Sequence, residues 1–243
     1  MVVIKPAVIN KPYALVKIGQ STKDVTTFRF ESREKTEVNF IPGMFAMITY
    51  KPGDGGAQVS RAFSIANSPP SDYFEFFISM INGQLTSKLA KAALNDTYYI
   101  SAPYGQFQFD INAGNKFLFL AGGTGIAPFF SMLRYTHALN KKLDCAMVYS
   151  VKYPYDIIEK GELDEFSTIM GLKTLVTVTR PADGDGWTGA KGHANGEMIK
   201  KFVPDFKDRI SYVCGPPLFV KALRDDLVAM GVPDREIKAE MWG

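Results

Sequence analysis

Over the first half of the chain, apolar, aromatic and β-branched residues gather in short runs: Tyr13–Ile18, Thr26–Phe30, Met44–Tyr50, Arg61–Ala66, Phe74–Met80 and Thr97–Ser101. Gly, Pro, Asp and Asn separate them, as in Ile41-Pro42-Gly43 and Lys51-Pro52-Gly53-Asp54-Gly55-Gly56. Runs of this length between turn residues predict β-strands, and several in succession predict a barrel or sandwich. One stretch departs from the pattern. Between Gly83 and Leu94, Leu85, Leu89 and Ala92 or Ala93 recur at helical spacing, which predicts a short helix inside the β domain.

After Ile111-Asn112-Ala113-Gly114-Asn115 the pattern changes. Strands are predicted over 117–121, 145–150, 174–179, 210–214 and 236–240, and helices over 128–139, 162–170, 196–202 and 217–230, with Gly231 as a helix stop. Alternation of this kind predicts a parallel sheet with helices on its faces. The polar link places a domain boundary between residues 1–112 and 113–243.

Composition narrows the function classes. The chain of 243 residues is 46% hydrophobic and 22% charged, a composition that buries a sizeable core. A net charge of +3 gives no reason to expect nucleic acid as a partner. Met1–Pro6 carries no leader-like apolar core and no stretch reaches the length of a membrane span, so a cytoplasmic protein is expected. The cysteines, Cys145 and Cys214, are too few for a thiolate-held iron–sulfur cluster, and no metal site is expected.

Candidate chemistry starts at Phe117-Leu118-Phe119-Leu120-Ala121-Gly122-Gly123-Thr124-Gly125-Ile126-Ala127-Pro128. A buried strand, a glycine turn and a helix N-terminus in that order favour an anion, because glycine admits a close backbone approach and the free N–H groups and helix dipole attract negative charge. Pro128 suits the first helical turn. The spacing G-x-G-x-x-P lacks the third glycine of the usual dinucleotide fingerprint, and the same turn also serves a ligand-free βα connection. Arg61-Ala62-Phe63-Ser64 offers a guanidinium fork for phosphate, an aromatic ring on the same strand face and a hydroxyl donor. Gly83-Gln84-Leu85-Thr86 opens the short helix; Thr86 either cradles a pyrophosphate or caps the helix. Val213-Cys214-Gly215-Pro216-Pro217 places a thiol and a glycine turn at a strand end, where ligands sit in open α/β sheets.

Taken in order, these motifs resemble those of the ferredoxin–NADP reductase superfamily over nearly the whole chain. That family has an R-x-Y-S flavin motif, a G-x-x-S/T pyrophosphate turn, a G-T-G-x-x-P turn, a C-G-x-P turn and a terminal E-x-aromatic. Here they read Arg61–Ser64, Gly83–Thr86, Gly123–Pro128, Cys214–Pro217 and Glu240-Met241-Trp242. Ala102-Pro103-Tyr104-Gly105-Gln106-Phe107 is similar to the family's G-P-x-G-x-F turn, with alanine for its first glycine. The resemblance implies an N-terminal antiparallel Greek-key β-barrel that binds FAD and a C-terminal Rossmann-like α/β domain that binds NADPH or NADH.

By the same resemblance, Arg61 and the Gly83-Gln84-Leu85-Thr86 turn hold the FAD pyrophosphate, Phe63 stacks on the isoalloxazine and Ser64 bonds near its N5. Gly123, Thr124, Gly125 and Pro128, with Gly215 and Pro216, hold the dinucleotide. Cys214 and Glu240 stand near the reactive ring, and Trp242 covers the flavin face as a gate, or simply packs. Hydride then passes between nicotinamide C4 and flavin N5, and a separate carrier such as ferredoxin or flavodoxin takes the electrons. Thr179-Arg180 is similar to NADPH-using members, whereas Pro181 and Trp187-Thr188-Gly189 are similar to NADH-using oxygenase reductases. Phe63 stands where the family has tyrosine, as it does in flavin reductases, but those usually lack the G-x-x-S/T turn kept here. An electron-transfer subunit of a larger complex is the third alternative.

Overall fold

The computed structural model describes residues 7–53, 55–182 and 184–242. The readings that fall on Met1–Pro6, Asp54 and Gly243 lie outside the described residues. The chain divides into two compact units, Met1–Phe109 with Phe130–Tyr135, and Asp110–Phe129 with Thr136–Gly243.

The first unit is a curled antiparallel sheet of six strands, β1 (Val8–Gln20), β2 (Val25–Ser32), β3 (Phe45–Tyr50), β4 (Val59–Ser64), β5 (Tyr73–Ser79) and β6 (Thr97–Tyr104), in the spatial order β4-β3-β6-β1-β2-β5. Its core is aromatic: Phe28, Phe30, Phe74, Phe76, Tyr13 and Tyr98 are almost wholly buried. Large rings fill a curled sheet with few residues, because each buries a large area. Helix α1 (Gln84–Leu89) packs against β3 and β4 and buries Leu85 and Leu89. It is shorter than the predicted stretch, since the chain turns after Ala90 and Asn95, at φ 74°, feeds it back toward β1 through a bond from its N–H to the Leu15 carbonyl. Strand β1 in turn starts five residues before the predicted Tyr13. Exposed Asn10, Lys11 and Pro12 hide that extension, which bends through a bulge between Val8 and Lys11.

The edge strands β4 and β5 meet without a ladder. Just past β4, the Ala66 N–H donates to the Glu75 carbonyl (2.8 Å). The buried side chain of Asn67 then stands in for a strand, donating to the Tyr73 carbonyl (3.1 Å) and accepting from the Glu75 N–H (2.9 Å).

The second unit is a parallel sheet of β7 (Lys116–Gly122), β8 (Asp144–Val151), β9 (Lys173–Val178), β10 (Ala190–Lys191), β11 (Ile210–Gly215) and β12 (Ile237–Met241), ordered β10-β9-β8-β7-β11-β12. Helices α2 (Ala127–Ala138), α3 (Lys160–Ile169), α4 (Gly196–Phe202) and α5 (Pro217–Ala229) connect the strands. The unbroken apolar run of β7 serves two faces. Leu118 and Leu120 join Ile199, Val220 and Leu227 in one cluster, while Phe117 and Phe119 lie beside Tyr212 on the other face. The chain steps outward from β7 to β8 and β9, then returns to β11 on the other side of β7. The crevice at the carboxyl ends of β7 and β11 is therefore the topological switch point, where open α/β sheets bind ligands. Among the described residues no helix is long and apolar enough to cross a membrane.

Candidate functional site

In the first unit, the register fixes which way the Arg61–Ser64 motif faces. Arg61 lies opposite Ile48 and Phe63 opposite Ala46, both of which are fully buried core residues, so Arg61 and Phe63 share the inner face of the sheet. Because β4 is an edge, that face is open there. Phe63 is half-buried and packs at 6.4 Å from the Phe76 ring, while Arg61 is exposed. An Arg61 Nη1 donates to the Ser60 carbonyl (2.8 Å), and among the described residues no carboxylate pairs with its guanidinium. Ser64 is half-buried, with no side-chain partner among the described residues. Since α1 packs on β4, the Gly83–Thr86 turn belongs to the same corner.

Within that turn the Thr86 hydroxyl is occupied. It accepts from the Gly83 N–H (3.0 Å) and donates to the Ile81 carbonyl. Thr86 thus caps and shapes the turn. The groups left for an anion are the first-turn N–H groups of Gln84 and Leu85, which have no partner within the helix.

In the second unit, two glycine turns touch backbone to backbone. A methyl placed on Gly125 would lie 2.4 Å from the Cys214 carbonyl oxygen and 2.8 Å from Gly215 Cα. One placed on Gly215 would lie 2.7 Å from the Phe219 ring and 3.2 Å from Gly122 Cα. Gly123 takes φ 55°, in the left-handed region that favours glycine. Thr124 is half-buried in this 3-10 turn, and its carbonyl accepts from the Ala127 N–H at the start of α2, one residue before Pro128. Pro216 caps α5, its carbonyl accepting from the Val220 N–H (3.0 Å). The two turns form one glycine-lined floor at the switch point, with two helix N-termini aimed at it.

Cys214 and Glu240 lie side by side in the β11–β12 register. Burial and then the Glu240 charge push the Cys214 thiol well above its ordinary range, which makes it a neutral, unreactive group at neutral pH. Burial also pushes the Glu240 carboxyl up to about 7. The Trp242 N–H donates to the Gly215 carbonyl (3.2 Å), and a methyl on Gly123 would stand 4.0 Å from the Trp242 ring. Trp242 remains 38% exposed, so it borders the glycine floor rather than being buried by it.

Arg180 follows the end of β9, and its N–H donates to the Lys152 carbonyl at the end of β8 (2.8 Å). Among the described residues neither Arg180 nor Lys152 makes a side-chain ion pair. Asp156, in a 3-10 turn beyond β8, accepts from the Tyr153 N–H (3.1 Å). His137 and His193 are exposed.

Comparison with known proteins follows the same division. Residues 12–109 match the oxidoreductase FAD-binding domain family, and residues 119–225 match the oxidoreductase NAD-binding domain family. The glycine betaine monooxygenase reductase subunit of Pseudomonas aeruginosa is 31% identical over 232 residues, covering 94% of this chain and 63% of that protein. The 2-halobenzoate 1,2-dioxygenase electron transfer component of Burkholderia cepacia is 30% identical over 220 residues, covering 88% of this chain and 62% of its own length. This chain therefore spans less than two thirds of the length of these relatives. A crystal structure of a ferredoxin NADP+ reductase from Neisseria gonorrhoeae with bound FAD and NADP superposes with a TM-score of 0.79 at 22% identity, over 95% of this chain and 98% of that one.

Proposed function

We propose that this chain, whose two parts belong to the oxidoreductase FAD-binding and NAD-binding domain families, is a member of the ferredoxin–NADP reductase superfamily: an FAD-dependent oxidoreductase moving electrons between NAD(P)H and a separate one-electron carrier. The observation that carries this reading is the glycine floor at the switch point, where Gly125 and Cys214–Gly215 approach too closely for any side chain. Such a floor lets a pyrophosphate approach the backbone closely at a strand end. The residues of the first unit fit the flavin: an unpaired guanidinium and a helix-turn edge in one corner for the pyrophosphate, and Phe63 on an open sheet face for the ring. When bound, FAD would supply the conversion between two-electron and one-electron transfer. The chain's part is to hold both nucleotides, exclude water and set polarity. Relatives named as reductase or electron-transfer components of oxygenases support a protein acceptor, for which a ferredoxin or flavodoxin is our choice. Two buried free thiols, Cys145 and Cys214, agree with a reducing cytoplasmic setting.

The test is purification followed by flavin analysis and steady-state assay. FAD near one per chain, and reduction of ferredoxin or flavodoxin by NADH or NADPH, are expected. Colourless protein that turns over free FMN and FAD alike would instead make it a flavin reductase.

Two further outcomes follow. If Arg180 reads a 2′-phosphate, Arg180→Ala raises the KM for NADPH about tenfold, the loss of a charge-assisted bond, and changes that for NADH less than about twofold. Equal effects on both would remove Arg180 from that role. Glu240 passes from neutral to anionic as pH rises through about 7. An anion beside the nicotinamide favours its cationic, oxidised form. Affinity for the oxidised dinucleotide relative to the reduced one should then rise severalfold from about pH 6 to about pH 8. Glu240→Gln should flatten that rise in an equilibrium titration.

A further inference from the structure

Behind the strand of the flavin motif lies a buried ionic cluster that the site does not use. Glu75 on β5 is only 3% exposed. One of its oxygens accepts from Arg29 Nε (3.2 Å) and Nη2 (2.9 Å), and the other accepts from Arg134 Nη1 (2.9 Å). Burial would raise the Glu75 carboxyl, but Arg134 and Arg29 outweigh it and hold the group below its ordinary range, so it is ionised. The same Arg134 Nη1 also donates to the Ala66 carbonyl (2.9 Å). Three residues earlier in that helix, the wholly buried Ser131 hydroxyl donates to the Asn67 carbonyl (2.7 Å). Residues 130–135 and all their partners named here belong to the first unit.

We propose that Ser131 and Arg134 are positioning residues for the flavin-binding strand, clamping the backbone just beyond Ser64 and so setting the direction of Phe63 and Ser64. The inference rests on the FAD reading above. Strand β4 has a ladder partner on one side only, β3, so its course past Ser64 depends on what holds residues 65–67. The Ile65 N–H donates to the Met44 carbonyl (3.0 Å), the Ala66 N–H to that of Glu75 (2.8 Å), and the Asn67 side chain bonds to Tyr73 and Glu75; the Ala66 and Asn67 carbonyls are two further handles on the segment. Ser131 and Arg134 take one each. Apolar packing would serve stability as well as a buried ion pair does. What the cluster adds is a fixed geometry, because one guanidinium nitrogen bridges the segment and the β5 carboxylate.

The experiment uses the full chain, stripped of flavin and titrated with FAD, for wild type, Ser131→Ala, Arg134→Met and Arg134→Lys. Loss of one or two buried hydrogen bonds should weaken FAD binding about tenfold in Arg134→Met and by a smaller factor in Ser131→Ala. Both should alter the visible circular dichroism of bound flavin. Both should also lower kcat while leaving the dinucleotide KM within about twofold. Arg134→Lys should recover part of the affinity, since an ammonium reaches one of the two acceptors. Ser131→Ala deletes a single hydroxyl and keeps the test decisive if Arg134→Met does not fold. Wild-type FAD affinity and flavin dichroism in a folded Ser131→Ala or Arg134→Met, whatever the melting temperature, would overturn the inference and leave the FAD reading standing. A wild-type chain that takes up no flavin overturns both.

Discussion

Gly125→Ala should cost this protein most of its dinucleotide affinity while leaving it yellow. The added methyl would meet the Cys214 carbonyl oxygen at 2.4 Å and the Cys214 carbonyl carbon at 2.7 Å. These are backbone atoms inside a parallel ladder, since Cys214 pairs with Ala121 and Glu240, so they do not rotate away as a side-chain tip would. The 3-10 turn must lift off β11, and the N–H groups meant for the pyrophosphate move with it. Overpacking of this kind costs about 1–3 kcal/mol. If the strain falls on the bound geometry, the KM for NAD(P)H rises roughly 5- to 150-fold. The flavin content, read from the visible absorbance, should stay near wild type, because the Arg61 and Gly83 devices are untouched. Gly123→Ala is the control. Its φ of 55° costs any L-residue about 1–2 kcal/mol, but the space beside it is open, with the Trp242 ring no nearer than 4.0 Å. A Gly125→Ala enzyme with wild-type KM would mean that the close contact of the two turns does not shape the dinucleotide site.

The second large effect lies at the opposite, amino-terminal end of the same strands. Arg209, 2% exposed, donates to both Asp144 oxygens (3.1 and 2.8 Å) and to both Asp205 oxygens (3.0 and 3.0 Å). It also reaches the carbonyls of Phe117 (3.3 Å) and Asp144 (2.9 Å). One guanidinium thus gathers the amino ends of β7 and β8 just before β11 begins. Breaking a buried pair costs about 3–5 kcal/mol. Asp144 and Asp205 keep 38% and 34% of their side chains in solvent, which points to the lower end of that range for Arg209→Met. Denaturant titration of the second unit is the measurement; a loss below about 1 kcal/mol would place the cluster among weak surface pairs.

Acid should act through the same group. The Arg209 hydrogen bonds lower both aspartates from the usual carboxylate range, and the Lys116 bond lowers Asp205 further. Near pH 4 the unfolded chain therefore binds more protons than the folded one. The contribution is present above about pH 4, the unfolded aspartate value, and is lost as pH falls below it. Arg209→Met should be less stable at neutral pH and lose less on acidification.

Much of this is legible in the sequence. The double duty of Phe117–Ala121, with alternate residues on two buried faces, produces an unbroken apolar run, and the period of two puts Arg61 and Phe63 on one face, as the β3–β4 register does. The ordered motifs identify the flavin and dinucleotide chemistry because each is local. Three residues are hidden, because composition alone does not show what each of them meets in the fold. Glu75 and Arg209 have the composition of a solvated surface, and only the side chains of Arg29, Arg134, Asp144 and Asp205 make their burial tolerable. Asn67 has the composition of a turn, yet it replaces a strand partner.

The seam between β4 and β5 has a kinetic consequence. A ladder opens only when many bonds break together; here the Ala66–Glu75 backbone bond, the Asn67 side chain and the bridging Arg134 guanidinium join the two edges in place of a ladder. Strand β4 has a ladder on one side only, and it is the segment that carries Arg61, Phe63 and Ser64. Amides of β4 should exchange with deuterium by fraying, well ahead of those at Ile48 or Tyr98 in the core, and cofactor should protect them by mass action. FAD at one hundred times its dissociation constant should slow their exchange roughly a hundredfold and leave the interior rates unchanged. Flavin release and the fraying of β4 are, in that case, a single opening event.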